Sequence, residues 1–245
     1  MSDALMTGAG SGMGQLLARR LAERGADVTA LDRDADGLAA LQASSPGVTT
    51  HVLDVTDVAA VVAAVGDRAW DHVVVAAGIG HTGRIDQTDP SVHRRLMEVN
   101  YLGAVNVVTA ALPALQAARA GRLTVFASLA GWVPAPEHGP YGATKAALVL
   151  WCQALQRELA GTGVGVTCVC PSAVATPLLD DMPAAKRGAK YVRPATPDQI
   201  VSKVLAAMDK GRPWVFPREA KALQVLQRFT PGLLDRATRL MLRAT

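Results

Sequence analysis

The 245-residue sequence predicts an α/β fold, a doubly wound and mostly parallel sheet of about seven strands with helices on both faces. Three observations carry that expectation. Apolar, β-branched runs alternate with longer helical stretches along the whole chain, the order that lays parallel strands side by side through right-handed crossovers. Several of these runs, such as Val73-Val74-Val75-Ala76-Ala77, lack period-two alternation, so both of their faces must be covered. A glycine-rich turn joins the first strand to the first helix. Half of the residues are apolar and 19% are charged, without a linker, repeat or low-complexity stretch, which excludes a disordered or fibrous chain and reads as one domain over 1–245.

In order, strands are expected at 4–7, 27–32, 48–53, 72–77, 122–128, 164–170 and 214–216. Helices are expected at 12–24, 36–43, 57–65, 90–119, 140–160 and 197–210, followed by an amphipathic tail at 218–243. Asp57 reads as the N-cap of its helix. The stretches 129–139 and 176–194 look irregular and follow the carboxyl ends of strands, where ligands bind in open α/β sheets. No apolar run of transmembrane length stands out. Only six residues precede the glycine turn that begins at Thr7, so no leader is expected. Cys152, Cys168 and Cys170 lack metal-ligand spacing and suggest reduced thiols in a cytoplasmic setting. The latter two fall on one strand and read as small buried hydrophobes with side chains on opposite faces. Five dispersed histidines and no carboxylate cluster make a catalytic metal unexpected.

The net charge is +4, and the segment 212–245 alone holds seven basic and two acidic residues, more than the whole excess. A nucleic-acid face is therefore not expected, since the excess lies on one terminal segment. In the tail, Leu223, Leu226, Leu233, Leu234, Ala237, Leu240 and Met241 recur at helical spacing, with Arg228, Arg236, Arg239 and Arg243 between them. Docking on the pocket or on a neighbouring subunit is the first reading, and interfacial membrane contact the second.

At the nucleotide end, Thr7-Gly8-Ala9-Gly10-Ser11-Gly12-Met13-Gly14 allows a tight turn, close approach to a pyrophosphate and a helix N-terminus facing the phosphates. Asp32 ends the second strand 18 residues after Gly14, where a carboxylate accepts hydrogen bonds from ribose hydroxyls and repels a 2′-phosphate. A turn or helix cap is its alternative reading. Arg33 could accommodate the phosphate, but Asp32 favours NAD over NADP. Asp54, with Val55, is placed to touch the adenine edge. Ala77, Gly78 and Gly80 follow the fourth strand, where the glycines let the chain pass close under a cofactor or simply turn.

At the chemical end, Tyr141 and Lys145 share one helix face. A phenol with an ordinary pKa of about 10 is a poor base near neutrality, but a neighbouring ammonium and a cationic nicotinamide favour its phenolate. An isolated Tyr-x-x-x-Lys is also what an ordinary amphipathic helix shows.

With these motifs together the sequence resembles the compact members, of about 250 residues, of the short-chain dehydrogenase/reductase family, over nearly the whole chain. The glycine turn fits the family's Thr-Gly-x-x-x-Gly-x-Gly. Asn100 in Val99-Asn100-Tyr101-Leu102-Gly103 falls where the family keeps an active-site Asn, Ser128 precedes Tyr141 by 13 residues, and Tyr141-Gly142-Ala143-Thr144-Lys145 completes a tetrad. The resemblance implies a Rossmann-type oxidoreductase. Tyr141 would be its general acid/base, Lys145 would bind the nicotinamide ribose and lower the Tyr141 pKa, Ser128 would bond the substrate oxygen, and Asn100 would hold a water linking Lys145 to solvent. It places Pro171, Val174 and Thr176 at the nicotinamide and phosphates, lets the neutral Ser11 side with NAD, and lets Asp32 signal the oxidative direction. It also implies a homodimer or homotetramer with the Tyr141 helix at an interface. Two departures stand out. Val75-Ala76-Ala77-Gly78 replaces Asn-Asn-Ala-Gly, removing polar groups that tie the central sheet, and Pro171-Ser172 replaces Pro-Gly, putting a less permissive residue before the following loop.

Trp132, Val133, Pro134, Ala135 and Pro136, with Leu178, Leu179, Met182 and Tyr191, suggest an apolar substrate pocket for a secondary alcohol or ketone on a hydrophobic skeleton. His81 and His138 read as solvated loop histidines, with substrate contact the alternative. Two other functions remain open: an NADP-linked 3-oxoacyl or polyketide ketoreductase, supported by Arg33, and a dinucleotide sensor without turnover, opposed by the intact tetrad.

Overall fold

The computed structural model describes residues 2–188, 193–216 and 218–230, with Gly232 and Arg236 beyond them. Seven strands form one sheet: β1 (Asp3–Thr7), β2 (Asp27–Asp32), β3 (Val48–Val52), β4 (His72–Val75), β5 (Arg122–Phe126), β6 (Gly165–Val169) and β7 (Trp214–Val215). Their spatial order is β3-β2-β1-β4-β5-β6-β7 and every pairing is parallel. Sequential order reverses between β1 and β4, so the carboxyl ends diverge there into a crevice.

The continuously apolar strands are explained by two cores. Leu5, Val73, Val75, Leu123 and Val125 face one layer of helices, whereas Ala4, Met6, Val28, Val74 and Val169 face the other. The first layer consists of α3 (Val58–Val65), α4 (Pro90–Met97), α5 (Gly103–Ala118) and α6 (Gly139–Glu158), and the second includes α1 (Gly12–Glu23), α2 (Ala35–Ser44) and α9 (Pro197–Asp209). Burying one large aliphatic side chain contributes about 1.5–3 kcal/mol, so neither face can be left bare.

The expected 90–119 helix is interrupted. A π-helical turn at Glu98–Leu102 separates α4 from α5, a widened turn of the kind that marks functional sites. By length and composition Pro90–Ala118 could cross a bilayer, contrary to the expectation that no run reaches that length. Here Val99, Val107, Val108, Ala111 and Leu115 pack into the core against the sheet, and Leu96 is buried as well.

Strands expected to reach Ala77, Ser128 and Cys170 end earlier; Ala77 and Ser128 turn into loops that line the carboxyl edge, whereas Cys170 still donates to Val215 O at 2.9 Å. The irregular 176–194 stretch contains two short helices, α7 (Pro177–Asp180) and α8 (Pro183–Gly188). Cys168 and Cys170 lie on the same face, not opposite faces, with Sγ atoms 3.8 Å apart in one core, as side chains two residues apart along a strand must be. Asp57 caps α3 by accepting from Ala60 N. The tail begins with α10 (Arg218–Phe229), on which Val225, Leu226 and Phe229 are exposed. Leu233, Leu234, Ala237, Arg239, Leu240, Met241 and Arg243 fall outside the described residues, as does Tyr191.

Candidate active site

A cavity of about 640 Å³ opens at the carboxyl edge of the sheet. Its nucleotide half is shaped by close backbone approach. Gly8 has φ +72°, and a Cβ there would meet Ala77 N at 2.4 Å; at Gly14 it would meet Gly8 O at 1.9 Å. No side chain longer than hydrogen fits either place. Ser11 precedes α1 in extended conformation and makes no side-chain cap bond, so the first-turn amides of α1 have neither an intrahelical partner nor a Ser11 cap. An anion is the ligand that such an end favours.

Asp32 lines this half, and the turn itself orients its carboxylate: Oδ2 accepts from Gly10 N at 2.8 Å and Oδ1 from Asp34 N at 3.0 Å. The turn-brace and ligand-binding readings are thus compatible, since each oxygen keeps a second lone pair. The cap of α2 is Asp34, not Asp32. Arg33 is exposed and lines the same end. Asp54 Oδ1 accepts from Thr56 N at 2.9 Å and Thr56 Oγ1 at 2.8 Å, while Oδ2 lies 3.5 Å from Arg95 Nη2. The Thr56 amide, followed by its hydroxyl and Arg95, holds the Asp54 pKa down against partial burial. Ser11, Gly12, Met13, Val55, Ala77, Gly78, Pro171, Val174 and Thr176 all line the cavity, as expected. Ser172 lines it too, at a φ outside the left-handed region, so its replacement of glycine introduces no backbone strain. The Val75-Ala76-Ala77 departure has a visible correlate: Thr7, paired with Val75 on β1, has a buried hydroxyl without a hydrogen-bond partner.

The chemical half rests on α6 and the end of β5. Ser128 begins a 3₁₀ turn (Leu129–Gly131), with Oγ accepting from Ala130 N at 3.1 Å. Tyr141 is buried and lines the same wall as Ser128. Burial pushes its pKa up to about 12, and Ser128 opposes that rise. Lys145 is also buried, with Nζ donating to the Phe126 carbonyl at 2.9 Å and lying 5.7 Å from the Tyr141 ring centroid. Burial brings its pKa down to about 8, against nearby Cys168, Cys170 and Cys152. In the protein alone the Tyr141 pKa is therefore raised, because desolvation outweighs the opposing effect of Ser128.

Asn100 sits in the π turn behind this wall. Its Oδ1 accepts from Ile79 N at 2.8 Å, and Nδ2 donates to Ile79 O at 3.0 Å and Thr144 Oγ1 at 3.1 Å. Both amide hydrogens are committed, so Asn100 fastens the loop after β4 to α6, while Oδ1 keeps a second lone pair. Asn100 does not line the cavity, but a Cβ at Gly78 would lie 3.0 Å from its Oδ1 and 3.6 Å from Lys145 Nζ.

Leu178, Leu179, Met182, Val133 and Ala135 form the apolar substrate half. Trp132 does not. It turns away to pack edge-on against Trp214, 5.7 Å between centroids, and against Phe216 at 5.8 Å, because aromatic partners beside β7 bury more of its surface. Pro134 and Pro136 also lie off the wall. His138 lies on it, with Nδ1 2.9 Å from Pro136 O, whereas His81 does not and keeps a buried Nε2 without a partner. Over this half, α8 is tied down by an Arg187–Glu137 ion pair and by Ala184 N donating to Thr82 Oγ1 at 3.1 Å. Arg95, Leu53 and Val99 also line the nucleotide half and were not foreseen; only the approach of α4 and the π turn to the loop after β3 brings them there.

The described chain thus pairs a glycine-shaped cradle with Ser128 and the buried Tyr141 and Lys145 on one cavity wall, and the chain is similar to known proteins. The family model described as short chain dehydrogenase matches residues 2–187. Dehydrogenase/reductase SDR family member 7B of Bos taurus is 31% identical, with 95% of this chain and 78% of that protein covered. The 2-dehydro-3-deoxy-L-rhamnonate dehydrogenase (NAD(+)) of a Sphingomonas strain is 32% identical over 79% of this chain and 80% of its own. A short-chain dehydrogenase from Sphingobium yanoikuyae, solved in complex with NADPH, superposes with a TM-score of 0.81 at 27% identity, covering 100% and 96% of the two chains.

Proposed function

This chain belongs to the short-chain dehydrogenase/reductase family, oxidoreductases that bind nicotinamide cofactors and act on alcohol or ketone groups, and from that premise we propose that it works with NAD on a hydrophobic secondary alcohol or its ketone. The observation that carries the proposal is that Ser128, Tyr141 and Lys145 share the wall of one cavity whose other end is framed by Asp32 and the N-terminus of α1. Bound in the cradle, the dinucleotide supplies a hydride acceptor or donor. The chain's own groups handle the proton. In the reductive direction Tyr141 Oη gives its proton to the carbonyl oxygen, which Ser128 Oγ also steadies as charge develops there. In the oxidative direction Tyr141 must be a phenolate, favoured by positive charge from Lys145 and the oxidised ring, and takes the hydroxyl proton. Gly8, Gly12, Met13 and Gly14 would hold the pyrophosphate, and Asp32 the adenosine ribose.

The apolar lining from Leu178, Leu179, Met182, Val133 and Ala135 supports a hydrophobic substrate. An NADP-linked ketoreductase acting on 3-oxoacyl groups is the second reading, favoured by Arg33 at the cavity rim. As further proposals, the protein is a cytoplasmic homodimer or homotetramer. The three free thiols support the compartment, and the exposed Met97, Leu102 and Leu150 along α4 to α6 support assembly. Neither nucleic acid nor membrane is proposed as a partner.

Titration with NADH and NADPH, followed by absorbance of the reduced ring over a panel of cyclic and aryl alcohols and ketones, tests the function. NADH-selective binding with turnover is expected. Tight NADPH binding would move the assignment to the ketoreductase, and polyols turning over much faster than cyclic alcohols would overturn the apolar substrate. Binding without turnover of any panel member, in a protein indifferent to Tyr141→Phe, would favour a sensor.

A further inference from the structure

In the apolar substrate half, His138 is a polar side chain with no part in the chemistry described above. Its ring is held in one setting. Nδ1 lies 2.9 Å from Pro136 O, and because a carbonyl only accepts, Nδ1 carries the ring proton. Nε2 of the uncharged ring is then left as an acceptor, on a wall shared with Val133, Ala135 and Met182. The backbone that presents the ring is fixed as firmly. Glu137 takes φ +63°, a left-handed conformation uncommon for a residue with a side chain, and its carbonyl accepts from Gly83 N at 2.8 Å. His138 N donates to Ala135 O at 3.1 Å, and His138 O accepts from Gly142 N at 2.7 Å, which sets His138 about one helical turn before Tyr141. A strained residue held in place by its surroundings beside a cavity points to function.

An acceptor in an apolar wall favours a ligand that brings a donor, because leaving it unpaired in a filled pocket is unfavourable. Three residues of helix advance about 4.5 Å along the axis, so a donor that meets His138 sits close to the oxygen that meets Tyr141. A hydroxyl on the neighbouring carbon satisfies both. We propose that His138 is a specificity-determining residue whose Nε2 accepts a hydrogen bond from that hydroxyl, so that the preferred substrate is a 2-hydroxy ketone, or the corresponding vicinal diol, on an otherwise apolar skeleton. Leu178, Leu179 and Met182 take the apolar remainder. This rests on the oxidoreductase reading above and narrows its substrate class.

The test is reduction of 2-hydroxy-1-phenylethanone and of 1-phenylpropan-1-one by the intact protein with NADH, two ketones that differ by a hydroxyl in place of a methyl. Wild type should favour the hydroxy ketone in kcat/KM by at least about tenfold, the scale on which a site that pairs a hydroxyl rejects the analogue lacking it. His138→Leu should lower that ratio by about tenfold, with the loss falling on the hydroxy ketone. His138→Gln, whose amide oxygen can accept in place of Nε2, should keep part of the preference. Any difference in intrinsic reactivity between the two ketones cancels when the ratios of wild type and variant are compared. Circular dichroism separates lost selectivity from lost folding, and if His138→Leu does not fold, His138→Ala takes its place. A ratio unchanged in the variant, a wild type that favours 1-phenylpropan-1-one, or one that reduces other ketones but neither of these overturns the proposal and leaves the proposed function standing. Wild type that reduces no ketone overturns both.

Discussion

The wall and the lid of one cavity are fastened in different ways. Tyr141 and Lys145 are buried on α6, the second bonded to the Phe126 carbonyl, with Asn100 locking the neighbouring loop to Thr144 beneath them. The lid, α7 and α8, is held instead by two ion pairs, Arg187–Glu137 and Lys186–Asp180, whose side chains are 31–68% exposed, and by one backbone amide bonded to Thr82. Buried hydrogen bonds resist salt and fix geometry, and leaving one unmade carries a penalty of about 1–3 kcal/mol. Exposed ion pairs contribute about 0–1 kcal/mol and are screened. Reaction geometry thus resides in the wall, and the lid is free to admit and release ligands at small energetic cost.

Chemistry should therefore fail through the wall, and Tyr141→Phe gives the largest effect. It removes the proton relay while keeping the ring that fills the site, so kcat should fall by about 10³–10⁴-fold with NADH affinity unchanged. Fluorescence titration beside a turnover assay checks both halves, and activity surviving within tenfold would remove Tyr141 from the acid/base role. Ser128→Ala should lower kcat by about 10²-fold, the usual consequence of deleting one donor at a developing oxyanion. Because Ser128 works against the burial that raises the Tyr141 pKa, the variant's alkaline limb should also move upward.

Lys145 links the wall to stability. Its pKa of about 8 lies below the ordinary 10.5, so between those values the folded chain binds fewer protons than the unfolded one. The contribution is complete above 10.5 and is lost as pH falls through 8. Tyr141, raised to about 12, acts oppositely only above its ordinary value of 10, where stability is lost as pH rises. Urea midpoints measured between pH 8 and 10 should accordingly rise with pH in wild type and stay flat in Lys145→Met. At pH 7 the variant should be more stable by between about 1 and 3 kcal/mol, although inactive, because it no longer buries an ammonium. Parallel slopes in the two proteins would show that Lys145 is not desolvated as the structure has it.

The wall was also far more legible in the sequence than the lid. Gly8, Gly14, Asp32, Ser128, Tyr141 and Lys145 announce themselves through local spacing, because one turn or one helix face fixes their relation, and each lines the cavity as expected. What sequence could not supply was tertiary register. Trp132 looked like pocket lining by its neighbours in sequence, but the 3₁₀ turn before it sends it to Trp214 and Phe216. Arg95 carries no local signal at all, since its meaning depends on Asp54 from another element. Asn100 lies behind the cavity wall, and the π turn that commits its amide to Ile79 does not show in an apolar helical run. The two short lid helices were missed because single turns have little periodicity to read.

The smallest effect belongs to the lid and sharpens the contrast most. Glu137→Gln removes the charge that holds Arg187 while leaving the backbone carbonyl of residue 137, which accepts from Gly83 N at 2.8 Å, in place. An exposed pair of this kind is worth at most about 1 kcal/mol, so KM should rise by no more than about threefold to fivefold with kcat unchanged. Half-molar salt should produce the same rise in wild type, through screening of that pair, and add little to it in the variant. If Glu137→Gln instead lowered kcat by more than tenfold, the lid would be part of the reaction geometry. The Glu137–Arg187 pair would then orient His138, the next residue along and the polar side chain on the wall nearest in sequence to Tyr141.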